Sequence, residues 1–205
     1  MTGAVAGAPP VSGVRRTRRL LIVAAAVVVA AVVAGLWVVG RLPGVPLRDG
    51  PLEGTNYEEL WQKTKPTDTG MLWGSLVLHN STKSDIVLVD VALADPDGIV
   101  PSAGPYIWGE DRVAMIGSAA VSGYKFPLPA EWKIPPKHAV AGYRIRPQAE
   151  SDSVEVLYEL PVPRRTSTIR GIAVRYRTAG ITYRRTFDVI LTICAPTEPE
   201  RCDNH

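Results

Sequence analysis

The chain has 205 residues, and the part beyond residue 41 is close to the length of one domain of about 100–150 residues plus a linker. Its net charge of +3 reflects the N-terminal part, because five of the 23 basic residues flank one apolar run and leave 18 basic against 20 acidic residues beyond it. The five are Arg15, Arg16, Arg18, Arg19 and Arg41. The near-neutral remainder gives no argument for a nucleic-acid partner, and we expect none.

Residues 20–40 form an apolar run, LLIVAAAVVVAAVVAGLWVVG, without a charged side chain. As a helix rising about 1.5 Å per residue, this run matches a hydrocarbon core roughly 30 Å thick. The arginines before it, with no acidic residue among them, favour a cytoplasmic N-terminus. The sequence therefore predicts a cytoplasmic tail at 1–19, one transmembrane helix at 20–40 and a C-terminal domain outside the cell membrane.

Two export signals are alternatives to this span. A cleaved signal peptide would use a small-residue site such as Val32-Val33-Ala34, although the apolar run continues past it and exceeds the usual ~7–15 residues. Residues 17–22 also match a loose twin-arginine pattern. No cysteine lies near the run, so this stretch offers no lipidation site.

Residues 41–65 predict a juxtamembrane linker, because three prolines stand among glycines in its first part. Within it, residues 56–61 (NYEELW) resemble the start of a helix, with apolar side chains on one helical face. We therefore expect a short helical turn that ends before Pro66, followed by a folded domain at 66–205.

From residue 71 the hydrophobic period becomes two, which is typical of half-buried strands. Residues 71–78 and 86–93 predict two antiparallel strands joined by a polar loop at 80–85. Asp95-Pro96-Asp97-Gly98 is a turn sequence.

Residues 99–137 are less regular and predict short strands near 112–116 and 122–126 within long loops. Residues 138–146 and 153–160 then alternate apolar with charged side chains, which predicts two further half-buried strands.

The clearest hairpin in the sequence is at the C-terminus. Residues 169–177 and 182–193 alternate with a period of two around the turn at 178–180. About seven short strands with little helix predict an all-β domain, an immunoglobulin-like antiparallel β-sandwich. The Cys-Trp-Cys core of antibody domains is missing, so the comparison concerns architecture only.

Three stretches resemble the immunoglobulin-like domains of membrane-anchored proteins from high-GC Gram-positive bacteria. They are LVLHNSTKSDIVLVDVAL, GYRIRP and IAVRYRTAGITYRRTFDVILTIC. The resemblance covers residues 70–194 and implies a fold and a place in the cell envelope, with no catalytic residues to transfer.

No motif of nucleophilic, phosphate-binding or metal chemistry occurs, so we predict neither enzyme activity nor a cofactor. The adjacent acids Glu110 and Asp111 are typical of a solvated turn. His79, His138 and His205 have no ligand spacing, although Cys202 with His205 would make a partial copper or zinc site. Asn80-Ser81-Thr82 is a formal glycosylation sequon that also suits a turn.

The only two cysteines, Cys194 and Cys202, predict a disulfide, because the expected compartment is oxidising and CAPTEPERC can bend back through its prolines. A paired Cys202 could not ligate a metal. The predicted disulfide would fix the tail after the last strand.

Seven arginines lie between 164 and 185 without an acidic residue until Asp188: Arg164, Arg165, Arg170, Arg175, Arg177, Arg184 and Arg185. Strand geometry sends Arg175, Arg177 and Arg184 to one face, which predicts a candidate anion-binding surface. The alternative is that Glu155, Glu159 and other acids on neighbouring strands neutralise these arginines across the sheet.

Three hypotheses of function follow from the sequence. The first is a non-catalytic binding or scaffolding module that presents loops or an edge strand to another envelope protein. The second is a domain that binds anionic wall polymer or lipid headgroups through its arginines. The third class, an enzyme or metal carrier, has no motif in its favour.

Overall fold

The structure, a computed structural model, describes residues 13–38, 47–55, 59–109, 119–147 and 153–203. The chain divides into two units, Met1–Val45 and Pro46–His205. In the first unit, helix α1 spans Gly13–Val38 and has 26 residues. It begins within the stretch that the sequence assigns to the tail, and the rest of that tail lies outside the described residues.

The described side chains of α1, at 23–36, are alanine, valine, glycine and leucine, and all are exposed. Over the residues that the structure describes, no helix is both long enough and apolar enough to cross a membrane.

The first sheet of the second unit contains six strands, and every pairing within it is antiparallel. They are β1 (Glu53–Thr55), β3 (Met71–His79), β5 (Ala103–Trp108), β6 (Ala119–Ser122), β7 (His138–Ala139) and β9 (Val154–Leu160). The order across the sheet is β1-β3-β9-β5-β7, and β6 pairs with β3.

The second sheet contains five strands. They are β2 (Glu59–Lys63), β4 (Ile86–Asp95), β8 (Arg144–Ile145), β10 (Ser167–Thr178) and β11 (Ile181–Cys194). The order is β2-β11-β10-β4-β8, with β2 parallel to β11 and the other pairs antiparallel.

One hydrophobic core takes side chains from both sheets. Trp73 and Tyr158 of the first sheet, whose ring centroids lie 6.0 Å apart, share it with Leu88 and Tyr176 of the second. These four side chains are at most 2% exposed. The second unit is therefore all-β, as the sequence predicts, with only two short 3-10 turns among its described residues.

The predicted C-terminal hairpin is confirmed as β10 and β11. Ala179 and Gly180 form its turn with φ values of 48° and 78°, the left-handed conformation that a two-residue hairpin turn requires. The inward-facing side chains of β11 are buried as predicted: Phe187, Val189, Leu191 and Ile193 are 5%, 1%, 0% and 0% exposed.

The strands predicted at 71–78 and 86–93 are present as β3 and β4, but their predicted pairing is wrong. β3 lies in the first sheet and β4 in the second, so the polar loop between them crosses from one sheet to the other. A hydrophobic period of two identifies a strand but carries no information about which sheet it joins.

The predicted linker and helical turn at 41–65 are also wrong at Glu53–Thr55 and Glu59–Lys63, where the chain forms β1 and β2. β1 pairs with β3, and β2 runs parallel to β11 with Leu60 opposite Leu191. Just before β1, Leu52 is fully buried, and its N–H donates to the hydroxyl of Tyr176 at 2.9 Å. β1 and β2 are edge strands of the two sheets, so the folded unit begins before residue 66.

The single strand predicted at 138–146 is wrong as well. β7 joins the first sheet and β8 the second, with Gly142 at φ 84° turning the chain between them. The strand predicted at 122–126 is displaced to β6, after which Gly123 turns the chain at φ 86°. The strand predicted at 112–116 lies outside the described residues.

β9 is buried on both faces instead of being half-buried as predicted. Glu155 and Glu159 are 0% and 7% exposed. Between them, Leu157 packs with Leu72 and Trp108 in a second hydrophobic cluster. Side chains of the segment 123–137 pack against this cluster: Phe126, Leu128 and Ile134.

Asn80 holds the crossing between β3 and β4. Its side chain is fully buried, and Nδ2 donates to the carbonyl oxygens of Ser84 at 3.0 Å and Ile145 at 2.8 Å. Its Oδ1 accepts from the N–H of Thr82 at 3.0 Å. This arrangement supports the turn interpretation of the sequon, because a buried and hydrogen-bonded amide is not available for glycosylation in the folded chain.

We predict that Asn80→Ala lowers the free energy of unfolding by about 2–4 kcal/mol, because the substitution leaves the buried carbonyl of Ile145 and two part-buried backbone groups without their partner. Chemical denaturation followed by tryptophan fluorescence measures this. Ser81→Ala is the matched control, since Ser81 is exposed and its hydroxyl donates to the side chain of Glu53 at the surface. Equal stability of the two variants would contradict the role assigned to Asn80.

Candidate anion-binding face

Three arginines stand on the outer face of the second sheet, and we call them the arginine face: Arg175, Arg177 and Arg184. In β10, the buried Val174 and Tyr176 alternate with the exposed Arg175 and Arg177. In β11, Arg184 is exposed while Phe187 and Val189 face the core. The period of two that fills the core therefore sends all three guanidinium groups to the opposite side.

The hairpin register sets the spacing within the arginine face. Arg175 is directly opposite Arg184, and Arg177 is opposite Thr182 near the turn. Directly opposed side chains of antiparallel strands project to the same side with Cβ atoms about 4.5–5.5 Å apart. Two arginines therefore form a like-charged cross-strand pair, and the third lies roughly 7 Å further along β10.

Among the described residues, two exposed carboxylates share the outer face with these arginines, Asp90 of β4 and Asp188 of β11. On the other side of β10, Asp90 of β4 is directly opposite Arg175, and Val87 is opposite Arg177. No ion pair joins any of the three arginines to a described carboxylate. The described part of the face thus places three cations against one directly opposed anion.

The alternative, neutralisation by acids on neighbouring strands, is wrong for Glu155 and Glu159. Both belong to β9 in the first sheet, whereas the arginines belong to the second. Both glutamates are buried, and Glu159 lies 3.4 Å from the ammonium group of Lys137. In the sequence, these glutamates alternate with apolar residues, a pattern typical of a strand with one solvated face. The pattern gives no sign of the second hydrophobic cluster, which covers that face in the structure.

The other arginines of the segment have different roles. Arg185 donates to the carbonyl oxygen of Leu52 at 2.6 Å and its guanidinium lies 5.1 Å from the ring centroid of Phe187. Arg165 pairs with Asp97 at 3.3 Å. Arg170 is also exposed and lies opposite Asp95 at the other end of β10, and Arg164 is exposed before that strand. The arginine face therefore consists of the three exposed arginines nearest the hairpin turn.

Sequence reasoning missed Arg48, which was assigned to the linker. Its carbonyl oxygen accepts from the N–H of Arg184 at 3.2 Å, and its guanidinium lies 5.5 Å from the ring centroid of Tyr183. Arg48 thus adds another basic side chain beside the hairpin, over the ring of Tyr183. No local pattern signals this contact, because the two residues are far apart in sequence.

Tyr176 fixes the same end of the hairpin from inside. Burial raises the pKa of its phenol, while the hydrogen bond from the N–H of Leu52 lowers it in part. Its ring stacks on Tyr183 at 5.6 Å between centroids. A Cβ at Gly50 would lie only 2.5 Å from the hydroxyl oxygen of Tyr176, so only glycine allows the incoming chain to pass this close.

Cys194 and Cys202 form a disulfide with their Cα atoms 6.1 Å apart, which is the pairing that the sequence predicts. The hydroxyl of Thr64 donates to the carbonyl oxygen of Cys194 at 2.7 Å, and Lys63 forms an ion pair with Asp203. The bond therefore ties the C-terminal tail to β11 beside β2. A disulfide-bonded Cys202 has no thiolate to offer a metal.

The histidines lie apart in the described structure. His79 ends β3 with Nδ1 at 2.7 Å from the hydroxyl of Ser153, and the ring of His138 lies 5.5 Å from that of Tyr143. No group of three or more possible metal-ligating side chains converges within the described residues. Glu110, Asp111 and His205 lie outside them.

No protein-family model and no curated protein matches the chain. Among solved structures, the chain is similar to the Vibrio cholerae VesB protease with 11% sequence identity and a TM-score of 0.31, over 71% of this chain. The chain spans about a third of that protein, 32% of its length. A TM-score of 0.31 does not establish a common fold. The two sheets and their shared core define the second unit as an all-β domain.

Glu198 provides a pH-dependent contact in the tail. A hydrogen bond from the hydroxyl of Thr166, and then one from its N–H at 3.2 Å, lower the pKa of the half-buried Glu198 below its usual value of 4.5. A lowered folded-state pKa means that this stabilisation is complete above the unfolded pKa and is lost as pH falls through the folded value.

We therefore predict that the amide resonance of Thr166 moves as the pH is lowered below 4.5 and that Glu198→Gln removes this titration. Two-dimensional NMR of the labelled chain measures both effects. Glu200→Gln is the control, since Glu200 is an exposed carboxylate in the same tail and the carboxylate that accepts from Thr166 is that of Glu198. An unchanged titration in Glu198→Gln would assign the transition to another carboxyl group.

Proposed function

We propose that this protein is a membrane-anchored, non-catalytic binding domain outside the cytoplasm, and that its arginine face binds a polyanion of the cell envelope. The observation that carries the proposal is the cross-strand pair of Arg175 and Arg184, with Arg177 beside it and no ion pair to a described carboxylate. The chemical class of the ligand is a polymer bearing phosphate or carboxylate groups.

Like charges directly opposite in a sheet are unfavourable, so this pair works against folding. A local conflict of this kind is typical of a functional surface. Guanidinium groups suit bidentate contacts with phosphate and carboxylate, and their fork geometry gives orientation as well as affinity. A polymer with repeated anionic groups could engage the pair and Arg177 together.

The proposed membrane anchor draws on the sequence. The apolar run at 20–40 is long enough to span a bilayer, and the described side chains 23–36 are exposed all round α1. A helix that is apolar on every side needs an apolar surrounding, which lipid supplies. Arg15, Arg16, Arg18 and Arg19 favour the cytoplasmic side for the N-terminus.

We also propose that the domain is an immunoglobulin-like sandwich, related in architecture to membrane-anchored domains of high-GC Gram-positive bacteria. The order β1-β3-β9-β5 fits the A-B-E-D sheet of that fold, and β11-β10-β4 fits its G-F-C sheet. One departure is β8, which lies beside β4 but follows β5 in the chain. The proposed likeness therefore concerns the seven principal strands.

For topology, we predict that a reporter fused after His205 is active only outside the cytoplasm and that the protein stays in the membrane fraction after an alkaline wash. Replacing Arg15, Arg16, Arg18 and Arg19 by glutamine weakens this orientation without abolishing insertion. The same replacement of Arg144, Arg165 and Arg201 is the control for charge outside the flank. A shortened soluble product would favour a cleaved signal peptide instead.

For the ligand, we predict that the full chain in neutral phosphatidylcholine nanodiscs binds labelled polyphosphate at low salt and releases it at high salt. Arg175→Gln, Arg177→Gln and Arg184→Gln combined weaken binding about a hundredfold, taking about 1 kcal/mol for each arginine at an anionic surface. Equilibrium dialysis with empty nanodiscs subtracted measures this. Polyglutamate in place of polyphosphate separates carboxylate from phosphate recognition.

The matched control is the triple variant of Arg144, Arg165 and Arg201, which removes the same charge from arginines that are already ion-paired with Asp85, Asp97 and Glu198. We expect this variant to keep most of the binding. Equal losses in both triple variants would reduce the effect to net charge. Absence of binding by the unaltered chain at low salt would overturn the proposal.

A further inference from the structure

A cleft lies over the outer face of the first sheet, on the segment 123–137 that covers β9. Phe126, Leu128 and Ile134 of this segment pack toward the second hydrophobic cluster. The same three side chains, with four prolines, line a cleft of about 300 Å³. This volume is at the lower end of the range of small-molecule sites, roughly 300–1,000 Å³.

Lys137 fixes the end of the segment beneath the cleft. Its ammonium nitrogen lies 3.6 Å from the ring centroid of Tyr106 and 3.7 Å from that of Phe126. It also lies 3.4 Å from Oε1 of Glu159, whose side chain is 9% exposed. An ammonium group held by two rings and a buried carboxylate has little freedom, so it gives the cleft a fixed wall.

The charge of the cleft has one sign. Two of its lining side chains are basic, Lys133 and Lys137, and no carboxylate is among the lining residues. Lys133 is exposed and forms no ion pair with a described residue, whereas Lys137 is engaged with Glu159. The cleft therefore combines apolar walls with one available cation.

We propose that this cleft binds a small organic anion with an apolar body, which packs between Phe126, Leu128 and Ile134 while its carboxylate or sulfonate contacts Lys133. The charge complementarity selects this occupant over a cation or a neutral apolar molecule of the same shape. The site is separate from the arginine face, because it belongs to the other sheet. It requires no particular ligand at the arginines.

Three probes with one apolar body test the proposal: 4-phenylbutyrate, 4-phenylbutan-1-ol and 4-phenylbutylamine. Equilibrium dialysis against the full chain in phosphatidylcholine nanodiscs, with empty nanodiscs subtracted, measures their retention. We expect the anion to be retained best. Lys133→Gln weakens its binding about tenfold, the loss of one charge-assisted contact. Lys65→Gln, an exposed lysine that does not line the cleft, leaves binding unchanged.

Lys133→Glu is the second variant, and it reverses the expected preference from 4-phenylbutyrate toward 4-phenylbutylamine. Lys133 is exposed, so denaturation curves of both variants should overlay that of the unaltered chain, and a changed fold is thereby recognised. Equal retention of the three probes would overturn the charge selection. An unchanged preference in Lys133→Glu, or no retention of any probe, would overturn the site.

Discussion

The period-two alternation of β10 and β11 is the constraint on which the rest of the domain depends. Val174, Tyr176 and Leu191 are among the side chains of these strands that point into the common core. The residues between them have to point outward, and several of those are arginines. Core and surface charge are therefore set by the same register, since a slip of one residue would bury the arginines and expose the core. The like-charged pair of Arg175 and Arg184 is a consequence of this register.

The first sheet obeys a different constraint, because β9 has a neighbouring strand on each side and apolar cover on each face. Its two glutamates then lose most of their contact with water, and a buried carboxylate is costly unless a cation and hydrogen bonds compensate for it. Lys137 compensates Glu159, and the segment that carries this lysine also closes the second hydrophobic cluster. The segment 123–137 thus provides the cation that pairs with the buried Glu159 and also forms the proline-lined cleft.

The sequence predicts what is local. The β10–β11 hairpin and the bond between Cys194 and Cys202 depend on residues a few positions apart, and both are found. Sheet membership depends on distant partners, so three predictions are wrong: the pairing of β3 with β4, helix at 59–61 and the single strand at 138–146. β5 was not predicted, because Gly104 at φ 99° and Pro105 interrupt its pattern. For the candidate face, the sequence identifies the three arginines but leaves open their neutralisation by Glu155 and Glu159, since alternation cannot show that β9 belongs to the other sheet.

The energetics of the arginine face favour a role in recognition over a role in folding. A like-charged cross-strand pair costs roughly 0.2–1 kcal/mol, and an exposed acidic neighbour such as Asp90 returns about 0–1 kcal/mol at most. Neither term stabilises the fold appreciably, so the domain would be at least as stable with neutral side chains there. Two hydrogen bonds to Leu52 nevertheless hold the hairpin that carries these arginines. The N–H of Leu52 donates to the hydroxyl of Tyr176, and the guanidinium of Arg185 donates to the carbonyl oxygen of Leu52. A rigid backbone lowers the conformational entropy that is lost when these side chains bind a ligand. Three arginines that do not stabilise the fold can therefore still contribute to the affinity for an anion.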